Sequence, residues 1–132
     1  MIQSPNDSRL DRFLAFLNGA GALIAGGFSV TALVDPVLVA GGADTPMARL
    51  YAGVYAARAV PLAVALLWAL VRRSPALVPF LVVAGLAQVG DAVVGVGFGK
   101  ANMIVGGTLL AVIHLGSAAR LHDGTKSGSA LR

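Results

Sequence analysis

The sequence predicts an all-α protein built as an integral membrane four-helix bundle, with both termini on the cytoplasmic side. Three observations predict it. Hydrophobic residues make up 57% of the chain and charged residues only 12%, about half the charged share of a soluble domain. The apolar residues gather into four runs, each of the roughly 20 residues needed to cross the hydrocarbon, with short polar connections between them. Lysine and arginine collect on one side of the resulting topology, which sets its orientation.

Residues 1–10 are polar and read as a short N-terminal arm; they lack the compact charged start of a cleavable signal. The membrane domain spans 11–121. Its first span, 11–34, stops at Asp35-Pro36, because the residue before a proline is pushed out of helical geometry. Ala15, Gly19, Ala22 and Gly26 recur at spacings of three and four on that span. They give it a face on which another helix, or a second copy of the chain in a homodimer, can pack closely. After the loop 35–45, Thr45 and Pro46 supply a capping hydroxyl and a proline at the first helical position, opening the second span at 46–72. Pro61 inside this span removes a backbone hydrogen bond and is expected to kink it. Trp68 near its end reads as an interfacial anchor. Arg72-Arg73-Ser74-Pro75 forms a tight turn, and Ser74-Pro75 repeats the cap-plus-proline pattern ahead of the third span, 75–98. Gly95, Gly97, Gly99 and Lys100 are expected to connect to the fourth span, 101–121. Residues 122–132, polar and rich in glycine and serine, are expected to form a disordered tail.

With four spans, seven Lys and Arg residues (Arg9, Arg12, Arg72, Arg73, Arg120, Lys126 and Arg132) share one side, against Arg49 and Lys100 on the other. The positive-inside rule puts the seven, and both termini, in the cytoplasm, as in a multi-pass protein of the inner (plasma) membrane. The net charge of +4 is thereby absorbed by topology, and no nucleic-acid partner is implied. The chain has no cysteine, which excludes a disulfide framework, thiol chemistry and cysteine metal sites. No metal or other cofactor is expected.

The second span carries Arg58 near its middle. An intramembrane charge costs several kcal/mol unless it faces the bundle and finds a partner, so it marks a candidate site. Arg58 lies 14 residues from Arg72 and Gln88 lies 14 residues from Ser74, which sets both at roughly 21 Å above the same turn, with Asp91 one turn beyond. Asp91 is the expected ion-pair partner and Gln88 an added hydrogen-bond partner. Tyr51 and Tyr55 share a helix face with Arg58 at i, i+4 and i+7, and would add two phenols to a polar pocket. Either tyrosine also suits the interfacial aromatic belt, Tyr51 more than Tyr55. Lower in the bundle, Asn18 is six residues from Arg12 and His114 six from Arg120, so the two are level and expected to hydrogen-bond as a structural pair between the first and fourth spans. Ser29, Thr31 and Thr108 are able to satisfy themselves on their own helices.

From the second span onward the chain resembles a family of small bacterial four-helix membrane proteins known as a domain of unknown function, related in layout to DoxX-like proteins. The resemblance covers roughly residues 46–120. It rests on Gly53 and Arg58, the Arg72-Arg73 turn, and Gln88-Val89-Gly90-Asp91-Ala92, which is similar to the family's Gly-Asp-Ala segment. Where the family often has an Asp after the arginine this chain has Ala59. Gly106-Gly107 stands about where the family has a His-Gly. The resemblance implies the four-helix architecture and the importance of the Arg58 and Asp91 positions, with no known activity attached.

Three classes of function fit the polar centre. The first is binding of a lipophilic small molecule, such as a quinone, isoprenoid or lipid, in an intrabundle pocket whose polar end is Arg58, Asp91, Gln88, Tyr55 and Tyr51. The second is a membrane enzyme of isomerase, cyclase or epoxide hydrolase type, with Asp91 as catalytic acid or base and Arg58 as its electrostatic partner. The third is a transporter. Small multidrug exporters of this length depend on a membrane glutamate, and this chain has no glutamate; a polar path from Asp91 to His114 would be required instead.

Overall fold

The computed structural model describes residues 5–37 and 42–129, and the side chains of 9–37 and 42–123. Among these residues four long helices follow one another: α1 (Pro5–Val34), α2 (Pro46–Arg72), α3 (Leu77–Gly97) and α4 (Ala101–Ser129). Each contains a segment long and apolar enough to cross a membrane.

Local chemistry accounts for most helix ends. After α1, the Asp35 N–H still reaches the Thr31 carbonyl at 2.8 Å, and the Asp35 carboxylate then accepts from the Val37 N–H at 3.1 Å, closing a turn around Pro36. Thr45 caps α2 as expected: it is extended (φ −121°, ψ 155°) and its hydroxyl oxygen accepts from the Ala48 N–H at 3.1 Å. Helix α2 runs on through Pro61 and stops at Arg73, which adopts the left-handed conformation (φ 48°, ψ 42°). The Ser74 N–H turns back to the Ala69 carbonyl at 2.9 Å, the signature of a Schellman stop, which glycine usually fills.

Three boundaries differ from the sequence expectation. Helix α1 begins at Pro5, so residues 5–10 of the expected arm are helical, with proline at the tolerant first position; residues 1–4 lie outside the described chain. Helix α3 begins at Leu77 rather than 75. The Ser74 hydroxyl accepts from the Ala76 N–H at 3.2 Å and its carbonyl from the Leu77 N–H at 3.0 Å, so the capping residue makes a separate turn before the helix opens. Helix α4 continues to Ser129, so residues 122–129 are helical where a disordered tail is expected. Extension of an existing helix adds one hydrogen bond per residue fixed, and no proline interrupts 122–129. Residues 130–132 lie outside the described chain.

The helices pack in a ring, α1 against α2, α2 against α3, α3 against α4 and α4 against α1. The α3–α4 and α1–α2 contacts are the extensive ones, and the two hairpins meet along thinner seams. The interior is built from small residues: Ala22, Ala56, Ala63, Ala69, Ala84, Ala111 and Ala118 are buried, with Leu66 and Leu81 the only fully buried large apolar side chains among the described residues. Large apolar side chains such as Phe13, Phe16, Val34, Val71, Val93 and Phe98 point outward. A soluble monomer does not leave so much apolar surface exposed; helices that approach on small residues and turn large ones outward suit lipid.

The closest approach is between α3 and α4. A Cβ added to Gly107 would stand 2.7 Å from the Gln88 carbonyl oxygen, and one added to Gly95 would stand 2.9 Å from the Ile104 backbone nitrogen. Of the small face expected on the first span, Ala22 is buried and Gly26 meets Ala63, whereas Ala15 is exposed and nothing approaches Gly19. The buried face of α1 is instead Asn18, Ala22, Ser29 and Ala32.

Candidate functional site: an axial series of polar groups

Helix α2 carries Arg58 and α3 carries Asp91, and the seam between them brings the two together: Arg58 Nη2 donates to Asp91 Oδ1 at 2.5 Å. The pair is lopsided in exposure. The Asp91 side chain is 15% accessible and that of Arg58 47%. The Arg58 guanidinium carbon also lies 5.6 Å from the ring centroid of Tyr55, within range of a cation–π contact. On α1, the Ser29 hydroxyl donates within its own helix to the Ala25 carbonyl at 2.6 Å. Tyr51 is 67% exposed and stands outside this arrangement. Four residues turn a helix by about 400°, and the extra rotation carries Tyr51 toward the surface, where it suits an aromatic belt.

Beside the ion pair, at the centre of the four-helix ring, is a cavity of about 20 Å³ lined by Arg58, Gln88, Asp91 and His114 among alanines and leucines. That volume accommodates about one water molecule. Gln88 precedes Asp91 by three residues on the same face of α3, which is why both reach it.

On the far side of the cavity is a second cluster, almost wholly shielded. His114 Nδ1 and Asn18 Oδ1 are 2.7 Å apart, joining α4 to α1. The Asn18 amide nitrogen donates to the Leu14 carbonyl and to the Ser117 hydroxyl, each at 2.7 Å. Asn18, His114 and Ser117 are at most 2% exposed, and the Asn18 amide is hydrogen-bonded at both its nitrogen and its oxygen within the cluster. The sequence pairs Asn18 with His114 by level; Ser117 is an addition, and its signal was its place one turn after His114 on the same face. A second cavity, of about 70 Å³, follows beyond Asn18 and Ser117 and reaches Asp11. There Arg120 Nε donates to Asp11 Oδ1 at 3.0 Å, tying α4 to α1 at the end of the bundle near the Arg72-Arg73 turn. Asp11 and Arg120 stand seven and six residues from Asn18 and His114, so the same level count finds this pair too.

At the opposite end, Arg49 in the first turn of α2 makes an ion pair with Asp44 in the connection before it. Its hydrogen bond holds the Asp44 carboxyl below the usual carboxylate range. Among the described residues no three of His, Cys, Asp or Glu converge as a metal site would require.

Fold and site together define the class: a small helical bundle of multi-pass membrane type, with a charged pair and a buried His–Asn–Ser cluster in series along its axis. Compared with protein-family models, curated proteins and solved structures, the chain finds no match.

Proposed function

We propose that the protein binds the polar end of a lipophilic small molecule, of quinone, isoprenoid or lipid type, at Arg58 and Asp91, and that the molecule approaches from the bilayer. The observation that carries this reading is the coordination of Arg58. A guanidinium has five N–H donors, and among the described residues its one hydrogen-bond acceptor is Asp91. Donors left without acceptors at membrane depth cost several kcal/mol each, and the Arg58 side chain is half exposed. An oxygen-bearing head, such as a carbonyl, hydroxyl or phosphate, fills that need. The cavity of about 20 Å³ is far below the roughly 300–1,000 Å³ of pockets that enclose such ligands. The apolar body therefore stays in the lipid while the head reaches Arg58.

In this reading the chain is a multi-pass protein of the plasma membrane, with the Arg72-Arg73 turn and both termini cytoplasmic. The test is native mass spectrometry of wild type, Arg58→Lys and Arg58→Gln, purified in mild detergent from the same membranes. Wild type should retain a lipophilic species that Arg58→Gln loses while its helical circular dichroism is unchanged, with Arg58→Lys between them. Equal retention by all three would refute the reading, as would a homodimer in which Arg58 crosslinks to the partner copy.

A further inference from the structure

The hydrogen bonds around Asn18 fix more than packing. Its amide nitrogen spends both N–H groups, on the Leu14 carbonyl and the Ser117 hydroxyl, so its oxygen is the atom that faces His114 Nδ1. An amide oxygen only accepts. Nδ1 must therefore carry the proton, and neutral His114 presents a bare Nε2 lone pair. His114 is 2% exposed and lines the central cavity, and among the described residues no protein group bonds to Nε2. The charged groups sharing that cavity are Arg58 of α2 and Asp91 of α3; α1 contributes only alanines to it, and α4 offers Ser117 on the Asn18 side. A Cβ added to Gly85 would stand 3.4 Å from the His114 Cβ, so Gly85 marks the level of His114 on α3. Asp91 lies six residues further, roughly 9 Å along the axis, a span that an imidazole, one water and a carboxylate cover together.

We propose that this cavity holds one water molecule linking His114 Nε2 to Gln88 and Asp91, and that His114 is a proton-accepting site reached from the Arg58–Asp91 end alone. The site meets both requirements for a buried water, sufficient volume and two to four polar partners. The transfer is balanced. A proton reaching the Asp91 carboxylate from the Arg58 end neutralises it; the carboxyl then passes a proton to the water, the water gives one of its own to Nε2, and the products are the carboxylate restored to its pair with Arg58, an unchanged water and an imidazolium that keeps its Nδ1–H on Asn18. Onward passage toward Ser117 and Asp11 would require the Asn18 amide oxygen to take up a proton, which an amide in this pH range does not do. The series of polar groups along the axis is therefore open to protons as far as His114 and closed beyond it. This inference does not rest on the lipophilic ligand.

The test is solid-state NMR of ¹⁵N-histidine-labelled protein in liposomes. The chain has two histidines, so His122→Gln assigns the signals. Neutral His114 should show protonated Nδ1 and unprotonated Nε2, and should receive magnetisation from water; Gln88→Leu should reduce that transfer several-fold. An Nε2–H tautomer, or a dry His114 in wild type, overturns the proposal. The tautomer and water contact are read on the wild-type chain, so they decide the matter even where a variant fails to fold.

Discussion

Asn18 and His114 fix each other's orientation across α1 and α4, with Oδ1 and Nδ1 2.7 Å apart. Because Asn18 also holds Ser117 and the Leu14 carbonyl, one amide organises every polar group of that level. Replacing it leaves the His114 N–H and the Ser117 hydroxyl buried without their partner, a loss of about 1–3 kcal/mol. Asn18→Ala is expected to lower the unfolding midpoint in detergent accordingly. Ser117→Ala removes one neutral bond and is expected to cost nearer 0.6 kcal/mol, the average for interhelical bonds in membranes. Equal midpoints for Asn18→Ala and wild type would show that the cluster contributes no stability.

The α3–α4 seam makes a sharper contrast between neighbours. Gly107 has the Gln88 carbonyl oxygen and the Ala92 nitrogen within 3 Å of where a Cβ would stand, while around Gly106 nothing lies within 4 Å. Both obstacles at Gly107 are backbone, so the helices must separate to admit even a methyl group. Gly107→Ala is expected to destabilise, as overpacking does, by about 1–3 kcal/mol. Gly106→Ala is expected to be neutral or to stabilise by up to about 1 kcal/mol, through lower backbone entropy in the unfolded chain. The comparison is a pair of denaturation curves, and the same sign for both variants would place the seam elsewhere.

That seam also marks where reading the sequence runs out. Hydropathy and capping residues give four spans, and the start of α2 at Pro46 follows from Thr45 and Pro46 together. Counting residues from the basic turns sets Arg58 near Asp91 and Asn18 level with His114, because helical rise is fixed. Which of 17 glycines meets another helix depends on rotation and register between helices, and one sequence does not encode either by spacing. The small face of the first span was therefore legible as a pattern yet only half of it is used, while Gly95 and Gly107 carry no comparable signature. Tyr51 fails for a related reason: i, i+4, i+7 defines a face wide enough to include both a buried and an exposed residue. The end of α4 is hidden because composition measures the affinity of residues 122–129 for water, not the cost of extending a helix already formed.

The Arg58–Asp91 bond predicts a particular pattern in a double-mutant cycle. Removing one partner strands the other at membrane depth, whereas removing both leaves two neutral groups. Arg58→Gln and Asp91→Asn are each expected to cost on the order of 3 kcal/mol, and the double variant less than their sum by a coupling energy of at least about 1 kcal/mol. Thermal unfolding of the four proteins in one detergent measures it. Additive losses would mean that the two side chains are stabilised separately.

Outside the membrane the Asp44–Arg49 pair gives a pH dependence of known sign. The folded pKa of Asp44 is lowered, chiefly by the hydrogen bond from Arg49, from an ordinary value of 3.8. Its contribution is therefore complete above the ordinary value and is lost as pH falls through the depressed one. Hydrogen exchange in the first turn of α2, corrected for intrinsic rates, should be level from neutral pH down to about 5 and rise below about 4. Asp44→Asn should abolish this change, and added salt should weaken it, since the pair is exposed. A dependence centred near neutral pH would point to another group.

The orientation expected from the basic residues is open to direct test, because the chain has no cysteine to remove. Ser74 lies in the turn beside Arg72 and Arg73, and Ala43 is exposed in the connection ahead of α2. A span of about 30 Å of hydrocarbon separates these two places when α2 crosses the membrane. With the Arg72-Arg73 turn cytoplasmic, a membrane-impermeant thiol reagent added to intact cells should label Ala43→Cys and spare Ser74→Cys, and lysis should expose the second. Neither substitution touches the Arg58, Asp91 or His114 level, and Ser74→Cys gives up only the bond from the Ala76 N–H to the Ser74 hydroxyl in that turn. Labelling of Ser74→Cys alone would invert the topology, placing the Asp11–Arg120 end outside and the Arg58–Asp91 end nearer the cytoplasm. Labelling of both would show that α2 does not span, and the membrane reading of the bundle would fall with it.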